Sequence, residues 1–431
     1  MAPGGPVKLF LSIVLTFIGI FWANPSPAWG LHYLLTDLSF SRVKFPELEN
    51  SVRVEPLASL VAIEAAPLAR LFADYYTWLA QTGTKRFHVI PFPADKPSVN
   101  AFLRAARLNP KIKFYSVRRL LPNQPVPERA VVRTLSELSY YERAEPGFRY
   151  DFVDSAKMIS VRSVLYTYVD EPDWGMDRDL WNIADYGFGK MPFGKLTGDG
   201  SQAAFHMQFQ HENFIVRHFV SELLEGMARE RIELFSRLAK FAFASGHPYW
   251  GYRFSAWAMH YLQDLTQPYH AKAVPHADEW YYVKYVFSTD RPRIVRETTQ
   301  LASNRHHLYE DFAKVISEDA FLKMGQAPGP QVAAALTAGP ELPPFLPEIF
   351  DRVTTIASRR AAEIDKSVGL AFGLKLAADP NYELLTDETY RARDHISRIP
   401  PEVSDPLLKA TLVNFTLTGA ASRALLDYCR H

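Results

Sequence analysis

The 431-residue chain has a single cysteine, Cys429, so no disulfide can form within it, and its stability must come from a packed core or from bound ions. It has almost no charge excess. Its 48 Lys and Arg residues stand against 47 Asp and Glu, a balance that carries no electrostatic footprint for nucleic acid or another polyanion. Internal repeats and low-complexity tracts are missing, which excludes solenoid and fibrous architectures. Convincing strand alternation is scarce, which argues against an all-β fold. Only one long apolar run is present, from Leu9 to Ala23 behind Lys8, and it is shorter than the roughly 20 apolar residues a membrane span needs. It reads as the core of a secretory signal peptide covering residues 1–28. Ser26 and Ala28 supply small residues at minus three and minus one, so cleavage is expected before Trp29. A chain processed there is expected to be secreted or periplasmic and to keep no transmembrane segment.

What the chain does have is apolar material and helical periodicity. At 48% hydrophobic and 13% aromatic residues it can fill a large core, and the fold class expected is all-α. Helices are expected over Leu57 to Gln81, Val126 to Glu142, Glu212 to Ala244, Tyr252 to Thr266, Ala302 to Glu318, Pro347 to Phe372 and Pro406 to Tyr428. Residues 84–125 are punctuated by prolines and carry Lys111, Lys113, Arg118 and Arg119, so they read as an irregular insertion or lid with a solvated basic surface. The Pro-rich stretch from Ala327 to Pro347 reads as a surface connection. It would lead from a main domain at 29–326 to a C-terminal helical extension at 327–431 packed on the same domain.

The segment AMHYLQDLTQPYH, Ala258 to His270, is the most informative. Residues four apart share a helix face, so the His260 imidazole and the Asp264 carboxylate can converge on one cation. Pro268 disfavours helix at Gln267, which lets the chain turn and return His270 towards the same place. NRHHLYEDF offers the same spacing twice, as His306 with Glu310 and as His307 with Asp311, and only one of these pairs can face a given ion. Two further segments are less patterned. In DEPDWGMDRD, Asp170, Glu171, Asp173, Asp177 and Asp179 crowd a turn of the kind that is usually solvated, and any of Asp170, Asp173 or Asp177 is a candidate ligand. In TGDGSQAAFHMQFQHENF, Gly198 and Gly200 lead into His206, with His211 nearby.

Trp29 at a processed terminus, an early His32, an isolated Asp and His, then HYxxDxxxPxH and HxxxE together resemble the zinc-dependent phospholipase C and single-strand-specific nuclease superfamily. The resemblance is greatest to the bacterial phosphatidylcholine-hydrolysing phospholipases C. It runs from Trp29 to about Phe312. Glu310 matches the HxxxE of the phospholipases, where the nucleases tend to carry HxxxD, and that register selects His306 with Glu310.

The resemblance implies a nearly all-helical domain with three zinc ions in a cleft. Asp173, His206, His260 and Asp264 would hold one ion, His270, His306 and Glu310 the second, and Trp29 and His32 with a bridging Asp264 the third. Asp264 would thereby join two ions that activate the attacking water, and Asp173 would orient that water as a base. Two departures stand out: His32 follows Trp29 closely, so a helix must begin almost at once, and the longer gap from His270 to His306 admits DEWYYVKYVF as an insertion over the site. The implied activity is an exported phospholipase C that cleaves the glycerol-side phosphodiester of phosphatidylcholine or related lipids at a membrane or micelle surface. A nuclease with 3′-nucleotidase activity and a non-catalytic zinc-bound helical protein are the alternatives, and a nucleic-acid partner is not the one favoured.

Overall fold

The computed structural model describes residues 31–431, apart from 44, 85, 122–131, 134, 139–149, 195–197, 220, 278–280, 282, 284, 286 and 323–328. The apolar N-terminal run, the expected cleavage site and Trp29 therefore lie outside the described residues. The structure is 65% helix and 3% strand, so the all-α expectation holds at the level of class.

In chain order the main helices are α1 (His32–Ser39), α2 (Leu57–Ile63), α3 (Ala65–Gln81), α4 (Val99–Ala105), α5 (Val161–Tyr168), α6 (Phe214–Phe219), α7 (Ala228–Ala244) and α8 (Pro248–Asp264). They continue with α9 (Arg291–Leu322), α10 (Gly329–Thr337), α11 (Leu346–Gly373), α12 (Ala392–Ile396) and α13 (Pro401–Arg430). Two small antiparallel sheets lie beside them. One pairs β1 (Ser51–Arg53) with β5 (Met158–Ser160), Val52 facing Ile159. The other places β4 (Tyr150–Phe152) between β2 (Val117–Arg119) and β3 (Val132–Arg133).

Helix α8 is the axis of the fold. Its sequence, PYWGYRFSAWAMHYLQD, has apolar side chains on every face, and every residue from Tyr249 to Asp264 is buried, as expected of a helix with no polar side to give to water. Pro248 occupies the first helical position, where a missing N–H is no loss. Helix α7 lies along α8, close enough at Gly251 that a Cβ there would stand 2.6 Å from the Phe243 ring. Helices α5 and α13 pack on other sides of α8, and α13 also packs against α1, α10 and α11.

Several segments depart from the sequence periodicity, each for a visible reason. The expected helix from Leu57 to Gln81 breaks at Glu64, whose backbone leaves helical geometry at φ −101 and ψ 25. Residues 84–125 are mixed where described, with apolar side chains entering the core between stretches open to solvent. Phe102, Leu108 and Val117 are buried; of the basic residues Lys111 and Lys113 are exposed, Arg118 is half-buried and Arg119 is buried, so the basic face is solvated only in part. The single helix expected from Glu212 to Ala244 is α6, a 3-10 turn at Ser221–Leu224, and α7. The interruption includes Gly226, where a Cβ would meet the Met207 carbonyl oxygen at 2.1 Å; the backbone is pressed against the residue after His206. The stretch 327–347 contains α10, with Val332, Ala333 and Leu336 buried, and is no mere surface connection. Most of the helix expected over Val126 to Glu142 falls outside the described residues.

Candidate metal centre

The end of α8 sets the geometry. Leu265 and Thr266 follow the helix, Gln267 turns extended at φ −75 and ψ 122, and Pro268 opens a single helical turn, Pro268–Ala271, that carries His270. The Gln267 side chain accepts from the Tyr269 N–H at 2.5 Å, which fixes the corner. Helix α1 begins at His32, and its first turn finds an acceptor outside the helix: the Tyr33 N–H donates to Asp170 at 3.0 Å. His206 ends the turn Ala203–His206, and the loop before it is tied down where the Gly198 N–H donates to Asp179 at 3.0 Å. His306 and Glu310 share one face of α9.

These elements bring His32, Asp173, His206, His260, Asp264, His270, His306 and Glu310 together, all of them buried. Three groups have donor atoms close enough to share a metal ion: His32, Asp173 and His260; His206, His260 and Asp264; and His270, His306 and Glu310. His260 belongs to the first two. Asp264 faces both ways, with Oδ2 2.8 Å from His206 Nδ1 and 3.4 Å from His260 Nε2, and Oδ1 3.3 Å from His32 Nε2. Asp173 lies 3.5 Å from His260 and 3.9 Å from His206. In the third group His306 Nε2 stands 3.1 Å from His270 Nε2 and 2.8 Å from Glu310 Oε1. The resemblance divides the ligands somewhat differently, placing Asp173 with His206 and giving His32 to Trp29 and Asp264; here His32 lies with Asp173 and His260 as well as beside Asp264.

Backbone carbonyls orient the imidazoles. His260 Nδ1 lies 2.8 Å from the Val169 carbonyl and His270 Nδ1 3.0 Å from the His206 carbonyl. A carbonyl only accepts, so Nδ1 carries the hydrogen in both rings and Nε2 turns its lone pair into the cluster. His206 is the reverse: Nδ1 faces Asp264, and Nε2 faces Asp177 at 3.7 Å.

The acidic turn, solvated by expectation, is buried, and its carboxylates have separate tasks. Asp170 pairs with Arg119. Glu171 accepts from Arg253 Nε and Nη2, at 2.8 and 2.5 Å, and from the Trp257 indole N–H at 2.7 Å. Asp177 takes Arg231 at 2.5 Å and the Tyr261 hydroxyl at 2.6 Å. Asp173 is the carboxylate that faces His260 and His206 together, so the choice among the three aspartates falls on it.

Burial alone would raise the Asp264 carboxyl, but the imidazoles of His260, His206 and His32 outweigh it and hold the group well below the ordinary carboxylate range. Glu310 is held low in the same way, burial being outweighed by His306 and His270. Burial and the neighbouring imidazoles push His260 well down. Burial also lowers His306. Two buried carboxylate oxygens, Asp264 Oδ1 and Glu310 Oε2, have no hydrogen-bond partner. Orphaned charged oxygens at this depth are costly, and a cation beside them removes the cost. The donor set, imidazole and carboxylate without thiolate, suits a divalent ion.

Sequence reasoning passed over Gln263, Tyr269 and Asp365. Gln263 binds His32 Nδ1 at 2.9 Å. The Tyr269 ring stacks on His306 at 5.6 Å, and its hydroxyl donates to Asp365 on α11 at 2.9 Å. Gln263 and Tyr269 both lie inside the segment that drew attention, each beside a candidate ligand; Asp365 carries no local signal. His211 stands apart, with Nε2 2.9 Å from the Thr354 hydroxyl. Of the insertion expected over the site, Tyr281 is half-buried and Phe287 exposed, while Trp280 and Tyr282 lie outside the described residues. Among the described residues no helix is long and apolar enough to cross a membrane. Comparison with protein families, curated proteins and solved structures finds no match.

Proposed function

We propose that the chain is a zinc-dependent phosphodiester hydrolase of the phospholipase C type, with zinc ions held by His32, Asp173, His206, His260, Asp264, His270, His306 and Glu310. The observation that carries the reading is Asp264, whose two oxygens face histidines on opposite sides. Spacing supports zinc: ligands about 2.0–2.1 Å from a tetrahedral ion stand roughly 3.3–3.4 Å from one another. His260 Nε2 lies 3.4 Å from Asp264 and 3.5 Å from Asp173, and the His270 and His306 nitrogens are 3.1 Å apart.

Bound zinc would lower the pKa of a coordinated water to about 7 and offset charge on the phosphoryl oxygens. The residues supply the rest. Asp173, at 9% exposure, is the most accessible carboxylate of the set and is placed to accept the proton of the attacking water. His260 and His270 are fixed by their Nδ1 hydrogen bonds to backbone carbonyls, so little reorganisation of these rings would accompany the reaction.

An apolar pocket adjoins the third group, with His306 in its wall. Phe193, Met207, Phe209, Tyr269 and Ala302 line it, and among the described residues no Lys or Arg does. An apolar leaving group such as diacylglycerol fits this lining better than a nucleic-acid strand, whose phosphates call for cations.

The test is hydrolysis of phosphatidylcholine in micelles against single-stranded DNA, with zinc supplied. Headgroup phosphate released from the lipid, and lost on chelation, supports the proposal. Cleavage of DNA alone transfers the site to a nuclease, and a protein that binds zinc but cleaves neither substrate sinks the assignment of a phosphodiesterase.

A further inference from the structure

Gln263 precedes Asp264 and is fully buried. Its amide is held at three points: Oε1 lies 2.9 Å from His32 Nδ1, and Nε2 donates to the hydroxyls of Thr36 and Ser422, each at 2.9 Å. The direction of this chain is determined from its far end. Ser422 donates its own hydrogen to the Thr418 carbonyl at 2.7 Å, so towards Gln263 it can only accept, and the amide NH₂ must face it. The amide oxygen therefore faces His32 and accepts the Nδ1 hydrogen. A ring with a single hydrogen, at Nδ1, turns the Nε2 lone pair towards Asp264 Oδ1, 3.3 Å away.

We propose that Gln263, anchored by Ser422 of α13, is a positioning residue that holds His32 in the tautomer and ring orientation required of a metal ligand. The inference rests on the reading of His32 as a zinc ligand. It gives the C-terminal helix, which lies beyond the reach of the family resemblance, a part in the site. A metal-bound imidazole depends on the partner of its other nitrogen, and losing that partner typically weakens metal binding about 10–100-fold.

The experiment measures zinc per full-length chain at graded free zinc, together with thermal unfolding with and without zinc. Gln263→Met keeps the bulk and removes the acceptor. It is expected to release one ion at about 10–100-fold higher free zinc than the wild type while holding the others. Gln263→Glu, which retains an oxygen opposite Nδ1, is expected to restore that ion. The stability deficit of Gln263→Met should be larger with zinc than without it. Wild-type zinc retention in Gln263→Met, or an equal deficit in both conditions, overturns the proposal and leaves the zinc site standing. If Gln263→Met does not fold, Ser422→Ala removes one anchor and keeps the His32 contact. It should weaken the same ion alone, and unchanged retention overturns the proposal. A wild-type chain that binds no zinc removes the metal centre itself and this role with it.

Discussion

The Nε2 atoms of His270 and His306 face each other at 3.1 Å in the buried interior, with Glu310 Oε1 2.8 Å from the second of them. His270 commits its Nδ1 hydrogen to the His206 carbonyl, so a proton can join only part of this group at a time, whereas a cation can join all three. Folding should therefore be linked to metal. A site saturated 1,000-fold above its dissociation constant adds about 4 kcal/mol to stability. Chelation is expected to lower the unfolding temperature by several degrees, with zinc restoring it. A midpoint indifferent to chelator, in a protein with less than one metal ion per chain, contradicts this.

Asp264→Asn tests the bridge. Asparagine keeps the shape but replaces one oxygen with an NH₂ that cannot ligate, facing either His206 or His32, which now stand 2.8 and 3.3 Å from the two oxygens. Metal affinity and turnover are expected to fall by about 100-fold or more, beyond the 10–100-fold typical of an outer partner. The far-ultraviolet circular dichroism should remain helical, since the metal-free protein loses only a buried charge. Turnover within a few-fold of wild type would show that Asp264 does not bridge.

Buried ion pairs around the acidic turn explain a limit of the sequence. The spacing of His260 and Asp264 within one helix is local and could be read, as could His306 with Glu310. The residues alone left Asp173 level with Asp170 and Asp177, and only the resemblance singled it out, because the difference lies in what its neighbours do with Arg119, Arg231 and Arg253, which are distant in the chain. The Glu171 and Arg253 pair is fully buried, with N–O distances of 2.8 and 2.5 Å. Removing one partner strands the other charge. Arg253→Met is expected to cost about 3–5 kcal/mol, and the double variant with Glu171→Leu should recover part of it. Urea unfolding measures both, and a double variant that loses the sum of the single effects contradicts a coupled pair.

Asp311, the alternative carboxylate of the HHLYED segment, does not join the three groups. Burial pushes its carboxyl up to about 6, against about 3.9 in an unfolded chain. The folded state thus binds more protons between these values, so its contribution to stability is present below about pH 4 and is lost as pH rises through about 6. A rise of this size corresponds to about 3 kcal/mol, and partial exposure to solvent reduces this to roughly 1–2 kcal/mol. Asp311→Asn should stabilise the protein by that amount at pH 7.5 and leave it unchanged below pH 4. Chemical denaturation at the two pH values decides the matter, and an equal effect at both argues against the titration.

The C-terminal helices are the part of the site least legible in the sequence, because hydroxyls on an amphipathic helix carry no motif. Yet Thr418 meets Thr266 at 2.7 Å just after Asp264, Ser422 holds Gln263, and Asp365 pairs with both Tyr269 and Arg305, the residues that flank and stack on His306. Gly419 lets α10 seat on α13, since a Cβ there would stand 1.7 Å from the Leu336 carbonyl oxygen. A chain ending before Pro401 would therefore expose the buried face of α8 and strip hydrogen bonds from the turn that follows Asp264, and on the proposed reading it is expected to lose cooperative unfolding and zinc together. Thr418→Val is the local control. It removes one hydroxyl of a buried pair and is expected to cost about 1–3 kcal/mol while the wild-type zinc content is kept. A truncated chain that unfolds cooperatively and holds its full zinc would show that residues 401–431 only decorate the part of the chain that carries the candidate ligands.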